Sequence, residues 1–83
     1  MRLFIDIEKQ SEAIYEQLQK VNTVDFLEFR IIMKPYVWSN LTREKSYDIL
    51  VQDKDYNFVA SYEYLNTEQQ IKDSLKEFIG EYT

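Results

Sequence analysis

The sequence contains no histidine and no cysteine among its 83 residues. Histidine is the side chain that exchanges protons most readily near neutral pH, and the cysteine thiolate is a ready nucleophile and soft metal ligand. Their absence removes the commonest general base, every thiol nucleophile and every disulfide from the chemistry of this chain. We therefore expect a non-enzymatic protein with no cofactor and no bound metal.

Glycine and proline are almost absent too, with only Gly80 and Pro35 in the chain. No linker rich in glycine, proline or serine divides the sequence, and no segment is repeated. Since a chain this short supports only one hydrophobic core, the sequence predicts a single domain over residues 1–83.

Long apolar runs are missing as well, and none approaches the roughly 20 residues that cross a bilayer. The first residues begin like a secretion signal but reach Asp6 and Glu8 before an apolar region forms. This predicts a cytoplasmic protein. Lysine outnumbers arginine seven to three, a bias typical of AT-rich genomes, which favours a bacterial or phage-infected host cell.

Basic residues are outnumbered, with 10 lysines and arginines against 15 aspartates and glutamates, for a net charge of −5. A protein that binds nucleic acid directly normally carries a basic excess, because phosphate neutralisation supplies much of its affinity. Acidity also disfavours an anionic membrane surface. The charge predicts no direct nucleic-acid or membrane binding and favours a protein partner with a basic surface.

The N-terminal segment has the period of an amphipathic helix that reaches about Lys20. Its apolar stripe comprises Leu3, Ile7, Ile14 and Leu18. Asp6 is placed to cap this helix, which leaves residues 2–7 open to two interpretations, a short preceding strand or the start of the helix itself. Asn22 and Thr23 are predicted to end it.

From Asp25 the apolar period changes to two, which is typical of strands. The sequence predicts three strands, at Asp25 to about Lys34, through Tyr47, Ile49 and Val51, and at Phe58 to about Leu65. The inward side chains of the first are predicted as Leu27, Phe29, Ile31 and Met33. Its opposite face would then carry Phe26, Ile32, Tyr36 and Trp38.

The last helix has the clearest signal, because Thr67 and Gln70 have the spacing of a capping box. Its apolar stripe comprises Ile71, Leu75, Phe78, Ile79 and Tyr82. The order α-β-β-β-α predicts an α+β fold, a three-stranded antiparallel sheet with both helices on one face. Double-stranded-RNA-binding domains share this order, and they need a cluster of basic residues at the second helix. Here Lys72 and Lys76 of that helix lie among acidic residues, so the cluster is missing.

Asp53, Asp55 and Asn57 have the spacing of the first three ligands of a calcium loop. However, Phe58 stands where the turning glycine belongs, and Tyr64 stands where the bidentate glutamate belongs. Aspartate and asparagine are also the residues that hairpin loops use for local hydrogen bonds. We predict a plain turn that binds no calcium.

Glu8, Glu12 and Glu16 follow one another at a spacing of four residues and form an acidic ridge on the first helix. Like charges at this spacing cost a few tenths of a kcal/mol per pair. A basic partner would offset that cost. The alternative is a solvated helix face balanced in part by Lys9 and Lys20.

Aromatic residues are abundant, with seven tyrosines, five phenylalanines and one tryptophan. Tyrosine and tryptophan are frequent interface anchors because they bury a large area with few rotatable bonds. Two helices cover only one sheet face, so several aromatic groups should remain at the surface. The predicted partner-binding residues are Glu8, Glu12, Glu16, Tyr36, Trp38, Asp53, Asp55 and Tyr56.

In size, charge and element order the chain resembles small acidic phage-encoded inhibitors, including anti-CRISPR and anti-restriction proteins that mimic DNA. The resemblance implies an intracellular inhibitor or adaptor that binds a basic surface of a nucleic-acid-handling protein. The alternative is a homo-oligomeric structural or regulatory protein, such as a homodimer, that buries its aromatic sheet face against its own copy.

Overall fold

The computed structural model describes residues 6–37 and 45–82, apart from the side chains of Tyr36, Val37 and Lys45. Within these residues the elements are α1 (Ile7–Val21), β1 (Thr23–Phe26), β2 (Phe29–Val37), β3 (Lys45–Asp53), β4 (Phe58–Leu65) and α2 (Glu68–Tyr82). The strands form one antiparallel sheet in the order β1-β2-β3-β4. The predicted α+β class is confirmed.

The prediction of three strands is wrong, because a turn at Leu27-Glu28 divides the first of them into β1 and β2. Phe26 pairs with Phe29 across this turn. Paired residues of a hairpin point to the same side of the sheet, so both rings face the helices. Phe26 is therefore buried, whereas Leu27, predicted to lie in the core, is 52 % exposed. The additional strand also removes the match to the order of double-stranded-RNA-binding domains.

Both ends of α1 are formed by the residues predicted to form them. Asp6 Oδ1 accepts a hydrogen bond from the backbone N–H of Lys9 at 3.2 Å. At the other end, Asn22 adopts a left-handed conformation and donates its N–H to the Leu18 carbonyl at 3.2 Å. The question of a strand or helix start at residues 2–5 lies outside the described residues.

The capping box of α2 is present as predicted. Gln70 donates its backbone N–H to Thr67 Oγ1 at 3.1 Å, and Gln70 Oε1 accepts the N–H of Thr67 at 3.3 Å. The same oxygen accepts the N–H of Asn66 at 2.6 Å. Of the predicted apolar stripe, four residues are buried, namely Ile71, Leu75, Phe78 and Ile79.

The two described helices share one core cluster with the sheet. They run antiparallel, since Glu8 lies beside Lys76 and Tyr15 beside Lys72. Ser11 and Ser74 are buried, and each donates its hydroxyl to a carbonyl of its own helix at 2.9 Å. Because these side chains are small and their hydroxyls are satisfied, they can be buried without the penalty of an unpaired polar group. Neither helix is long and apolar enough to cross a membrane, among the residues described.

On the opposite face of the sheet the described side chains are half-buried or exposed over most of its length, whereas Ser46 near one end is buried. Ile32 pairs with Leu50, which in turn pairs with Ser61, and both apolar side chains in this row are half-buried. Ile32 thus faces away from the helices, as predicted, whereas Phe26 does not. This face mixes apolar and polar groups.

Candidate interaction surface at the hairpin end

The connection between β3 and β4 is held by the side chain of Asp53. Its Oδ1 accepts the backbone N–H groups of Asp55 at 2.8 Å and Asn57 at 2.9 Å, and its Oδ2 accepts the side-chain amide of Asn57 at 3.2 Å. These bonds, that of the Asn57 N–H first, lower the pKa of Asp53 below its ordinary value of 3.8. The carboxylate is thus engaged within a turn, as the sequence predicted.

This loop presents Tyr56 to solvent. Tyr56 has a φ of 65° and is 67 % exposed. The guanidinium carbon of Arg30 lies 5.2 Å from the centre of its ring, and Arg30 Nε lies 3.5 Å from Asp25 Oδ1. Arg30 therefore connects the β3–β4 loop to the β1–β2 hairpin. The contact restrains the exposed tyrosine ring against the guanidinium.

The two turns lie side by side at one end of the sheet. Phe29, the first residue of β2, pairs with Asp53, the last residue of β3. The Leu27-Glu28 turn and the loop at 54–57 are consequently neighbours. We call this end of the molecule the hairpin end.

Both helices also reach the hairpin end. The ring of Tyr82 lies 5.9 Å from that of Phe29, and the Tyr82 hydroxyl donates to the Val59 carbonyl at 3.4 Å. A Cβ on Gly80 would lie 3.8 Å from Cδ1 of Ile7. The last turn of α2 and the first turn of α1 therefore stand beside the two hairpins.

Exposed apolar side chains concentrate at this end. Five large ones lie here and form what we call the end patch: Ile7 (38 % exposed), Leu27 (52 %), Tyr56 (67 %), Phe58 (67 %) and Tyr82 (39 %). In the described part of the chain, Val21 and Tyr64 are the others, and both lie towards the opposite end. Phe58 pairs with Gln52 on the sheet face away from the helices, whereas Ile7 and Tyr82 belong to the helices. The end patch therefore wraps around this end of the molecule, and exposed apolar side chains gathered in this way are a candidate interaction site.

Acidic residues outnumber basic ones in and around the two turns of the hairpin end. Residues 25–30 and 53–58 carry four acidic groups, Asp25, Glu28, Asp53 and Asp55, against two basic ones, Arg30 and Lys54, which gives a local charge of −2. An open groove of about 420 Å³ runs between the two turns, with Leu27 and Phe29 among its walls. The hairpin end thus offers apolar contact area within an acidic rim.

The acidic ridge on α1 is exposed but is not isolated from basic groups. Glu8 Oε1 lies 4.0 Å from Lys76 Nζ. The pKa of Lys72 is raised, chiefly by its hydrogen bond to Glu68, and the charge of Glu12 adds to the effect. Lysines of α2 therefore offset part of the repulsion within the ridge. Glu8 lies close to the hairpin end, in the first turn of α1.

The structure brings together some of the predicted partner-binding residues. Asp53, Asp55 and Tyr56 share one loop. Tyr36 lies in β2 opposite Ser46, at the other end of the sheet, and its side chain is outside the described residues. Trp38 also lies outside the described residues.

The sequence pattern does not predict most of the end patch. The apolar pattern predicts Phe58 in the third strand, on either of its faces, and Leu27 in the core. One signal was available, since Leu27 and Glu28 separate two phenylalanines that are three residues apart, the spacing of a two-residue hairpin with both rings on one face.

Tyr62 is a half-buried phenol close to two carboxylates of α2. Burial, followed by the nearby charges of Glu77 and Glu81, raises the pKa of Tyr62 to about 12. This phenol therefore stays protonated near neutral pH. No cluster of three or more metal-ligating side chains occurs within residues 6–37 and 45–82.

The end patch and its acidic rim must be interpreted from their own chemistry. No family model, curated protein or solved structure matches this chain.

Proposed function

We propose that this protein is a non-enzymatic protein-binding module, an inhibitor or adaptor that docks its hairpin end on a basic surface of a nucleic-acid-handling protein in a bacterial or phage-infected cell. The observation that carries the proposal is the end patch, five exposed apolar side chains beside a local charge of −2. Apolar anchors supply affinity, and a complementary charged rim supplies orientation and speed of encounter.

Tyr56 is the proposed anchor. It is exposed, it is aromatic, and Arg30 holds its ring in place at 5.2 Å. Removing such an anchor from an interface costs at least about 2 kcal/mol, or roughly 30-fold in Kd. The net charge of −5 further predicts that association is fast at low salt and slows as salt screens the attraction.

Tyr64 provides a matched control for Tyr56. Its φ is 59° against 65° and its exposure is 68 % against 67 %, yet it lies towards the opposite end of β4. Wild type, Tyr56→Ala and Tyr64→Ala should be used as baits in a nuclease-treated bacterial lysate, and the retained protein identified by mass spectrometry. Its binding is then measured with purified proteins at about 50 and about 500 mM salt, where screening differs strongly.

We expect a basic partner whose Kd rises at least about 30-fold for Tyr56→Ala, changes little for Tyr64→Ala, and rises with salt. A partner held equally by both variants, or insensitive to salt, would refute docking through the hairpin end. Sedimentation of the purified protein tests the alternative. If the purified protein is a dimer and Tyr56→Ala dissociates it, the hairpin end binds a second copy of this chain and not a foreign partner.

A further inference from the structure

The two edges of the sheet differ in how well they resist pairing with another strand. The pairing of β4 with β3 is irregular, because its register shifts twice along β3, between Tyr47 and Ile49 and between Val51 and Gln52. Bulges of this kind protect an edge strand against intermolecular pairing. β1, at the other edge, pairs with β2 in an uninterrupted register. It also contains no proline and no lysine.

The backbone of β1 presents unused hydrogen-bonding groups to the outside. In an antiparallel pair, alternate residues bond to the partner strand and the intervening ones point away. Phe26 pairs with Phe29 across the two-residue turn, and the Asn22 carbonyl accepts the Met33 N–H at 2.9 Å. Both are consistent with even-numbered residues bonding to β2. The N–H and C=O groups of Thr23 and Asp25 therefore point outward.

A groove lies along this edge, between α1 and β1. Its volume is about 470 Å³. Ile14 and Phe26 are buried at its base, and Gln10, Ala13 and Gln17 of α1 form its wall. An extended backbone placed beside β1 would meet outward-pointing hydrogen-bonding groups on one side and the flank of a helix on the other.

We propose that this groove binds an extended peptide segment of a protein partner, which adds to the sheet as a fifth strand next to β1. The recognised segment places an apolar side chain against Ala13 and, at the adjacent position, a lysine or arginine on the opposite face beside Asp25. Main-chain bonds supply affinity in this mode and alternate side chains supply specificity.

Charge and size select this occupant. The side chain of Asp25 is 78 % exposed and already lies 3.5 Å from Arg30 Nε, but a carboxylate accepts several hydrogen bonds, so in an acidic protein it can take a second basic group. β1 is only four residues long, or about 13 Å. Pairing two copies through so short an edge would bury far less than the roughly 1,200 Å² that a stable dimer needs, whereas a short peptide fits its length. The inference does not depend on the function proposed for the hairpin end.

The probe is a phage-displayed library of random peptides of about ten residues, long enough to span the edge. Selection uses the folded full chain, and enriched peptides are measured by fluorescence polarisation. Asp25→Pro removes the outward N–H without taking a bond from β2. Asp25→Ala is its control, since it also removes the carboxylate and the ion pair with Arg30 but keeps the N–H. Ala13→Trp fills the groove from an exposed helix position and tests the site even if Asp25→Pro does not fold.

We expect peptides with adjacent apolar and basic residues and a Kd below about 100 μM. Binding should weaken at least tenfold more in Asp25→Pro than in Asp25→Ala, be lost in Ala13→Trp, and persist in Tyr64→Ala, which alters the opposite edge strand. The amides of Thr23 and Asp25 should exchange rapidly in the free protein and become protected by peptide. The proposal is overturned if no peptide is enriched, if Ala13→Trp binds normally, or if those amides are already protected without peptide.

Discussion

The two turns of the hairpin end are built in opposite ways. The β3–β4 loop is stabilised by its own residues, since Asp53 accepts three bonds from Asp55 and Asn57 through its carboxylate. The Leu27-Glu28 turn has no such side-chain bond in the described structure and places Leu27 at a φ of 55°. It is supported from beneath instead, where the ring of Phe29 meets the ring of Phe78 edge-on at 5.3 Å.

The difference separates a turn that its own residues specify from one that the core imposes. A left-handed conformation costs a residue such as leucine about 1–2 kcal/mol. That cost is tolerated here because the turn allows Phe26 and Phe29 to be packed on the same side of the sheet. Interactions with the core should therefore maintain the first turn, and local hydrogen bonds should maintain the second.

The largest expected effect comes from removing the support beneath the Leu27-Glu28 turn. Phe78 is fully buried, so Phe78→Ala leaves a cavity and should lower the free energy of unfolding by about 3–5 kcal/mol. Urea denaturation measures it, with Phe58→Ala as the exposed control. A melting temperature within a few degrees of wild type would contradict the assigned core. If Phe78→Ala does not fold, Phe78→Leu gives a smaller, measurable loss.

A smaller effect is expected from Asp53→Ala, which removes the acceptor for three bonds but leaves the core intact. The melting temperature should fall by several degrees at pH 7, with the increase in amide exchange confined to residues 54–57. Asp55→Ala is the control, because only the backbone of Asp55 takes part in these bonds. Equal effects of the two substitutions would contradict the role of the Asp53 carboxylate.

The contribution of Asp53 should also depend on pH. Its pKa is lower in the folded protein than its ordinary value of 3.8, so its stabilisation is present above that value and is lost as pH falls through the folded pKa. The difference in stability between wild type and Asp53→Ala should therefore shrink below about pH 4. Thermal melts between neutral and strongly acidic pH measure it, and a difference that grows on acidification would refute the shift.

The smallest stability change concerns Leu27 itself. Leu27→Gly and Leu27→Ala remove the same exposed contacts, but only glycine adopts a φ of 55° without strain. We expect the glycine variant to be more stable than the alanine variant by about 0.5–1 kcal/mol. Equal stabilities in urea denaturation would mean that the turn carries no backbone strain.

Calcium should have no effect on either turn. Both carboxylate oxygens of Asp53 accept hydrogen bonds within its own loop. Phe58 and Tyr64 occupy the positions where a calcium loop needs glycine and glutamate. The melting temperature should be the same with millimolar calcium and with a chelator. A calcium-dependent rise that disappears in Asp55→Ala would overturn this prediction.

Features specified within three or four residues were predictable. Asp6 caps α1, Asn22 ends it, and Thr67 with Gln70 caps α2, because each acts on backbone groups within one helical turn. The loop after Asp53 follows the same rule. Most of the predicted core was also correct, since the helical and strand periods place apolar residues on one face irrespective of their distant neighbours.

The sequence by itself thus determined the two helices with their caps, the acidic balance and the β3–β4 loop. Only the tertiary structure decided that the first strand is divided and that Phe26, not Leu27, lies in the core. It also brought the five exposed side chains of the end patch to one end, namely Ile7, Leu27, Tyr56, Phe58 and Tyr82. The physical reason is that a strand phase is ambiguous where apolar residues are consecutive. The choice then depends on which rings pack best against the distant side chains of α2.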